Sequence, residues 1–246
     1  MNSDKDGEYV VDMDEVADAV GKDCKKPEFY YAEESQQNKY ECPACGAFND
    51  ILGRYGYCSS CGTHNGLYEL EFEINHIRER IKTSADYDSC VKDAVAAFDS
   101  FARQIAKQLS RRIPMTSERR KFWEQRLFHN LKPCAVGLKD TFDIDTFKNM
   151  NEEEIEFAIL MFHRRHVYEH NGGEVDEKYI RDSGDASVRP KQVIHETVET
   201  ALRIAGLVLR MAQNIHRGFH TIFPPEEKPI RLHQPQIERI QRQSPE

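Results

Sequence analysis

The chain has 246 residues, of which 39% are hydrophobic and 31% charged, and its net charge at pH 7 is −8. This composition excludes an intrinsically disordered protein, and the length is sufficient to bury one large core or two small ones. The sequence has no run of 18 apolar residues, and its acidic start does not resemble a secretory signal. We therefore expect a cytoplasmic protein that does not contact a membrane.

Hydrophobic and charge patterns divide the chain into four parts. These are an acidic N-terminal lead at residues 1–38, a small β module at 39–67, a helical region at 68–222 and a proline-rich, extended tail at 223–246. The predicted fold class is mainly α, with an antiparallel helical bundle preceded by the β module.

The β module carries four of the seven cysteines, arranged as two C-x2-C pairs. Cys42 and Cys45 form the first pair, and Cys58 and Cys61 form the second. A glycine follows each pair and allows a tight turn. Four thiolates complete a tetrahedral site without an open position, so we predict one structural Zn²⁺ per chain and no catalytic metal. The pattern resembles a zinc ribbon over residues 39–66.

Apolar spacing predicts helices through most of the central region. Residues 69–82 favour a helix, although the alternation at 68–74 also fits a strand. An apolar stripe at residues 91–109 predicts a long helix that Pro114 ends. A shorter helix begins at Thr116 or Ser117.

The second half of the helical region has clear start and stop signals. Residues 131–150 look irregular, whereas Asn151 with Glu154 predicts a capping box at the start of the next helix. Two glycines at 172–173 end that helix. Pro190 suits the first turn of a last, long helix that Gly218 closes. We expect the histidines of that helix to face solvent or a cleft.

Positive charge is concentrated at residues 101–126, which carry eight basic and two acidic residues. This stretch is either a solvated helix face or a surface that guides RNA phosphates. The candidate guiding residues are Arg111, Arg112, Arg119, Arg120 and Lys121.

The motif RRHVYEHNGG at residues 164–173 combines an arginine with a histidine five positions later. Cleavage of RNA without a metal needs a group that accepts the 2′-hydroxyl proton and a positive charge at the phosphate. Histidine titrates near neutral pH, and arginine offers a planar charged fork to phosphate oxygens. We therefore predict that His170 is the acid–base group and that Arg165 binds the scissile phosphate.

Over residues 69–219 the chain resembles the HEPN superfamily, most specifically at residues 164–180. The resemblance implies a metal-independent endoribonuclease, often a toxin or antiphage effector, with Arg165 and His170 as its catalytic pair. His166 takes the intermediate polar position, which is often asparagine in the family. The supporting residues of the predicted site are His166, Asn171 and Arg164. The implied partners are RNA, a second copy of the chain, and an antitoxin or defence-system protein.

Helix geometry constrains this site. Two side chains five positions apart on one continuous helix point about 140° away from each other. The helix must loosen, or two chains must share the site, and we predict a two-fold homodimer. The alternatives are an inactive zinc-ribbon/HEPN module that binds RNA or protein, an accessory to a nucleotidyltransferase, and an ordinary helix ion pair between Arg165 and Glu169.

Overall fold

A computed structural model describes residues 37–234, so the acidic lead lies outside the described residues except for its last two positions. The elements are β1 (Gln37–Glu41), β2 (Phe48–Leu52), α1 (Gly66–Thr83), α2 (Tyr87–Arg112), α3 (Ser117–Gln125), α4 (Leu131–Phe142), α5 (Glu152–His170), α6 (Glu177–Ser183) and α7 (Val198–Ile222). Residues 227–234 are also helical. In this described range, no helix is both long enough and apolar enough to cross a membrane.

The two strands form an antiparallel ribbon in which Gln37 pairs with Leu52 and Glu41 pairs with Phe48. The connection between the strands contains the first cysteine pair. One face of the ribbon packs on the helices, because Tyr40 is buried and its ring lies 5.8 Å from that of Tyr68 on α1. The sheet thus holds the cysteines against the start of α1.

A single large core joins the helices. It consists of buried apolar side chains from α1, α2, α4, α5 and α7, together with Trp123 of α3. The longest helices, α2 and α7, pack against each other and both contact α1 and α5. The predicted mainly helical fold with a small sheet is confirmed. Residues 69–82 are helical, as favoured, and the capping box at Asn151 is present.

Residues 131–150, expected to be irregular, contain α4. Pro133 is the third residue of this helix. Proline is tolerated there because the N–H groups of the first turn have no acceptor within a helix. Gly137 lies mid-helix, where a Cβ would come within 3.2 Å of the buried ring of Trp123. Close packing against that ring explains why glycine occurs here, although glycine has a low helix propensity.

The last helix begins at Val198 rather than at Pro190, because Thr197 caps it and forms a capping box with Thr200. The residues before it pair with the turn after α5, where the N–H of Ile194 donates to the carbonyl of Gly173 at 3.0 Å.

Two further helical segments differ from the sequence predictions. The short helix α6 was not predicted, and Asp176 is its N-cap. The C-terminal segment, which we define as residues 224–234, is helical at 227–234 although an extended tail was expected.

Candidate functional site

The four cysteine sulfurs lie within 4.8 Å of one another. The Sγ of Cys42 is 3.8 Å from that of Cys61, and the Sγ of Cys45 is 3.6 Å from that of Cys58. Two sulfurs bound to one tetrahedral Zn²⁺ at about 2.3 Å would be about 3.8 Å apart, whereas a disulfide needs about 2.05 Å. The cluster therefore fits a single metal ion, and its cysteines are not paired as disulfides.

The two cysteine turns have the same geometry. In each turn the glycine N–H donates to the carbonyl of the first cysteine, at 2.8 Å for Gly46 and 2.9 Å for Gly62. Their φ angles are 70° and 76°, in the left-handed region that glycine tolerates without strain. Each C-x2-C-G stretch thus forms a compact loop that points both sulfurs towards one centre.

Hydrogen bonds favour the thiolate at Cys58, whereas burial raises the pKa of Cys42 and Cys45. Burial raises the pKa of the Cys58 thiol, but backbone N–H groups of Cys61 and Ser60 and the amide of Asn49 lower it to about 6. The amide nitrogen of Asn49 lies 3.5 Å from this sulfur. A thiolate is the form of cysteine that binds metal, so these donors support metal binding.

The C-terminal segment covers this cluster. The N–H of Glu226 donates to the carbonyl of Cys61 at 2.8 Å, and Ile230 packs on the small core around the cysteines. The imidazole of His233 lies against Gly46. The four-cysteine module therefore contacts the C-terminal end of the described chain.

Histidines join the module to α7. The N–H of His64 donates to Nε2 of His220 at 3.3 Å, and Nδ1 of His220 donates to the carbonyl of Phe223 at 3.0 Å. Burial lowers the pKa of all three histidines here, to about 4 for His64 and about 3 for His216. His64, His216 and His220 are neutral packing groups at this junction. His216 and His220 also line a cavity of about 440 Å³, and His195 is exposed before α7, so the expectation of solvent or a cleft agrees with their positions.

A groove with a volume of about 1180 Å³ lies between α5, α6 and the segment that joins α3 to α4. Its lining is rich in side chains that carry or can acquire positive charge. These residues are His129, Lys132, His163, Arg165, His166 and Lys178. Glu156, Asp182 and Asp185 also line it, so its charge is mixed.

Arg164 points into a buried ion-pair network rather than towards this groove. Its Nη1 lies 3.0 Å from Glu196 and its Nη2 lies 3.2 Å from Asp185, and both carboxylates are almost fully buried. Tyr168 donates to the same Glu196 oxygen, and Tyr179 donates to Asp185 at 2.7 Å. Burial lowers the pKa of the Arg164 guanidinium, but Glu196 outweighs this and the pKa is raised. Arg164, predicted to support the active site, instead fixes the loops after α5.

Arg165 is in a different environment. Its side chain lines the groove at 20% exposure, and its closest charged partner is Glu169, whose Oε2 is 4.0 Å from Nη2. Its Nε is buried and has no hydrogen-bond partner among residues 37–234. Arg165 therefore lines the groove without an ion pair shorter than 4.0 Å among the described residues.

The predicted partner of Arg165 does not line the groove. His170 is exposed at the end of α5, and its ring centre is 4.5 Å from that of His166, which does line the groove. Burial lowers the pKa of His166, as do the nearby His170 and Lys178, so His166 is neutral at pH 7. The structure thus brings Arg165 together with His166, and it brings His166 together with His170.

Asn171 has a local structural role. It is the C-cap of α5, and its side-chain amide donates to Asp176 at 3.1 Å. This bond ties the end of α5 to the start of α6. No described atom of Asn171 lines the groove.

The five candidate RNA-guiding residues lie at the end of α2 and on α3, outside the lining of the groove. Arg111 pairs with Glu124 at 3.6 Å, and the guanidinium of Arg112 stacks on Phe223 at 4.0 Å. Residues 119–121 are exposed. Arg112 is thus partly a packing residue, whereas the exposed cations remain candidates for phosphate contacts.

Comparisons with known proteins returned no match: no family model, no curated protein and no solved structure resembles this chain at a significant level. We therefore infer the function from the site itself.

Proposed function

We propose that this protein is a metal-independent endoribonuclease and that the groove beside α5 binds the RNA backbone. The observation that carries the proposal is the contrast between two neighbouring arginines. Arg164 forms ion pairs of 3.0 and 3.2 Å with two buried carboxylates, whereas Arg165 lines the groove and its one ion pair within residues 37–234 is 4.0 Å long. A phosphate oxygen in the groove would give the Arg165 guanidinium a charge-assisted partner that its long contact with Glu169 does not supply.

The paired imidazoles supply the proton transfers of this reaction. One neutral imidazole accepts the proton of the 2′-hydroxyl while the 2′-oxygen attacks phosphorus. The bond from phosphorus to the 5′-oxygen breaks, and the other imidazole, in its protonated form, donates a proton to that oxygen. Arg165 stabilises the charge on the phosphate. The products carry a 2′,3′-cyclic phosphate and a 5′-hydroxyl.

His166 is the proposed base, since its pKa is lowered and it lines the groove. His170 is then the proposed acid. This assignment shifts part of the role predicted for His170 to its neighbour on the helix. Because His170 lies outside the groove, we further propose a two-fold homodimer in which α5 of each chain helps to enclose one RNA strand.

In this proposal the four-cysteine cluster has a structural role. Its closed donor set fits Zn²⁺, and a zinc-ribbon module would stabilise the start of α1 without taking part in cleavage. Membership of the HEPN superfamily and a toxin or antiphage role belong to the same proposal, and only the motif at residues 164–180 supports them.

A second candidate is an inactive module that binds RNA or protein through the same groove. The position of His170 favours it, because one chain alone does not place Arg165 and His170 in one cavity. Binding would then need the cations of the groove but no proton transfer.

The two candidates differ in a single assay. Wild-type protein, Arg165→Ala, His166→Gln, His170→Gln and the control Arg189→Ala are incubated with a mixed RNA pool in EDTA, and the product ends are analysed. Arg189 is exposed and does not line the groove. We expect cyclic-phosphate ends from wild type and control, and a loss of about 100-fold or more in the other variants. Equal amounts of cleavage product from all five proteins would refute the proposed enzymatic activity. Retained RNA binding without cleavage would establish the binding module.

A further inference from the structure

An exposed pair of histidines lies one helical turn apart at the end of α5. His166 and His170 are at positions i and i+4, both are exposed, and their ring centres are 4.5 Å apart with an angle of 58° between the ring planes. Positions i and i+4 share one face of a helix. Two imidazoles in this arrangement can bind one metal ion through one nitrogen each.

The separation of the rings fits a shared metal. A metal–nitrogen bond of about 2.1 Å puts the ion about 3.2 Å from each ring centre. If the two metal–nitrogen bonds make an angle of 90°, the ring centres are about 4.5 Å apart. At the tetrahedral angle they are about 5 Å apart. The observed 4.5 Å between the ring centres equals the value for a 90° angle at the metal.

A second histidine pair on α7 has the same ring separation but not the same chemistry. The ring centres of His216 and His220 are also 4.5 Å apart. Both nitrogens of His220 are already used, because one accepts from the N–H of His64 and the other donates to Phe223. At the end of α5, no described hydrogen bond occupies the ring nitrogens of His166 or His170, and both residues are open to solvent.

We propose that His166 and His170 form a second metal site, which binds a borderline divalent cation such as Zn²⁺ or Ni²⁺ through two imidazoles and water. Within residues 37–234, the four-cysteine cluster is the only group of three or more ligand side chains close enough to hold an ion. The histidine site therefore has two protein ligands and exchanges its metal more readily than the cysteine site. Imidazole ligands favour Zn²⁺, Cu²⁺ and Ni²⁺ over Mg²⁺ or Ca²⁺.

A metal bound here would have a direct effect on the proposed reaction. It would occupy the nitrogen lone pairs that otherwise accept and return protons, so cleavage would stop while the metal is bound. This consequence depends on the proposed function, whereas metal binding at the pair does not. The site would then make the groove sensitive to free transition-metal ions.

The test is calorimetric titration with Ni²⁺ at pH 7.5 of untagged protein that carries one Zn²⁺ per chain, so that only the cysteine site is filled. We expect one Ni²⁺ per chain, and a dissociation constant at least about tenfold higher in His166→Gln and in His170→Gln. His76→Gln is the matched control, because His76 is a single exposed histidine on α1 and its loss should change nothing. Absence of Ni²⁺ binding to wild type, or unchanged binding in both variants, would overturn the proposal. Thermal melts of each variant show whether it is folded.

The same samples separate this inference from the proposed function. If Ni²⁺ binds but wild type does not cleave RNA, the proposed metal site is supported and the proposed nuclease activity is refuted. If wild type cleaves RNA with and without Ni²⁺ at equal rates and no Ni²⁺ binds, the reverse holds.

Discussion

The imidazole of His233 lies over the α-carbon of Gly46, so closely that a side chain at Gly46 would overlap the ring. The equivalent glycine of the second cysteine turn, Gly62, has open space in the same direction. The two turns therefore have the same backbone but different surroundings, and only the first is covered by the C-terminal segment. This difference allows the contribution of that segment to be measured.

The first prediction compares Gly46→Ala with Gly62→Ala. Both variants force a left-handed alanine, which costs about 1–2 kcal/mol. Only Gly46→Ala also displaces His233, so it should unfold at a lower temperature and increase amide exchange at residues 226–234. Equal melting temperatures and equal exchange in the two variants would show that the contact is unimportant.

The second prediction concerns metal removal. Ile230 packs on the cysteine core and the N–H of Glu226 bonds to Cys61, so loss of the metal should release the C-terminal segment. Hydrogen exchange with and without a strong chelator should show lost protection at residues 226–234. The core of α2 has buried side chains that do not touch the cysteines, and its protection serves as the internal control. An unchanged C-terminal segment would contradict this account.

The third prediction separates the two neighbouring arginines. Arg164→Ala leaves Glu196 and Asp185 buried without a counter-charge, and removing one partner of a buried pair costs about 3–5 kcal/mol. Arg165→Ala should cost less than about 1 kcal/mol, because its only ion pair within residues 37–234 is 4.0 Å long. Urea unfolding of both variants measures the difference. Similar losses in the two would mean that Arg165 also has a structural role.

The fourth prediction is that stability falls in mild acid. The pKa of His64 is about 4 and that of His216 about 3 in the folded protein, both below the ordinary value of 6.5. As pH drops below about 6.5, the unfolded chain binds protons that the folded chain does not, so the free energy of unfolding decreases. The loss continues until pH reaches the folded values.

The window from about pH 6.5 to 5 separates histidines from carboxyl groups, and His163, His166 and His220, whose pKa values are also lowered, contribute to the same slope. Urea unfolding across this window should show a slope that His216→Gln reduces and the exposed His76→Gln leaves unchanged. A slope that is the same in all three proteins would assign the pH dependence to other groups.

The fifth prediction uses two glycines of α7. A Cβ at Gly218 would come within 2.9 Å of the buried Ile144 side chain, whereas a Cβ at Gly206 would meet nothing within 4 Å. Gly206→Ala should stabilise the helix by about 1 kcal/mol, and Gly218→Ala should destabilise the protein by overpacking. Melting temperatures that shift in the same direction would contradict the packing at Ile144.

Local signals predicted the structure where they were strong. The cysteine spacing predicted a cluster, and the helices at residues 69–82 and 91–109 and the cap at Asn151 are confirmed. The prediction was wrong at α4, because Pro133 and Gly137 weaken a helix on propensity alone while Trp123 supplies packing that the sequence does not show. Tertiary contacts outweigh propensity at such positions.

The candidate site was harder to predict for the same reason. The role of Arg164 depends on Asp185 and Glu196, which lie 21 and 32 residues further along the chain in segments without periodicity. The motif alone does not distinguish a structural arginine from one that lines a groove. The spacing of His166 and His170, at i and i+4, was the one signal in the sequence that pointed to their contact.

The closure of the C-terminal segment over Cys61 affects the order of folding during synthesis. The cysteines leave the ribosome before the residues that cover them, since Glu226 and Ile230 emerge more than 160 residues later. Nascent chains can thus capture a metal well before their cover exists. In that interval the C-terminal segment does not yet cover the cluster, and the sulfurs are exposed to oxidation or metal exchange.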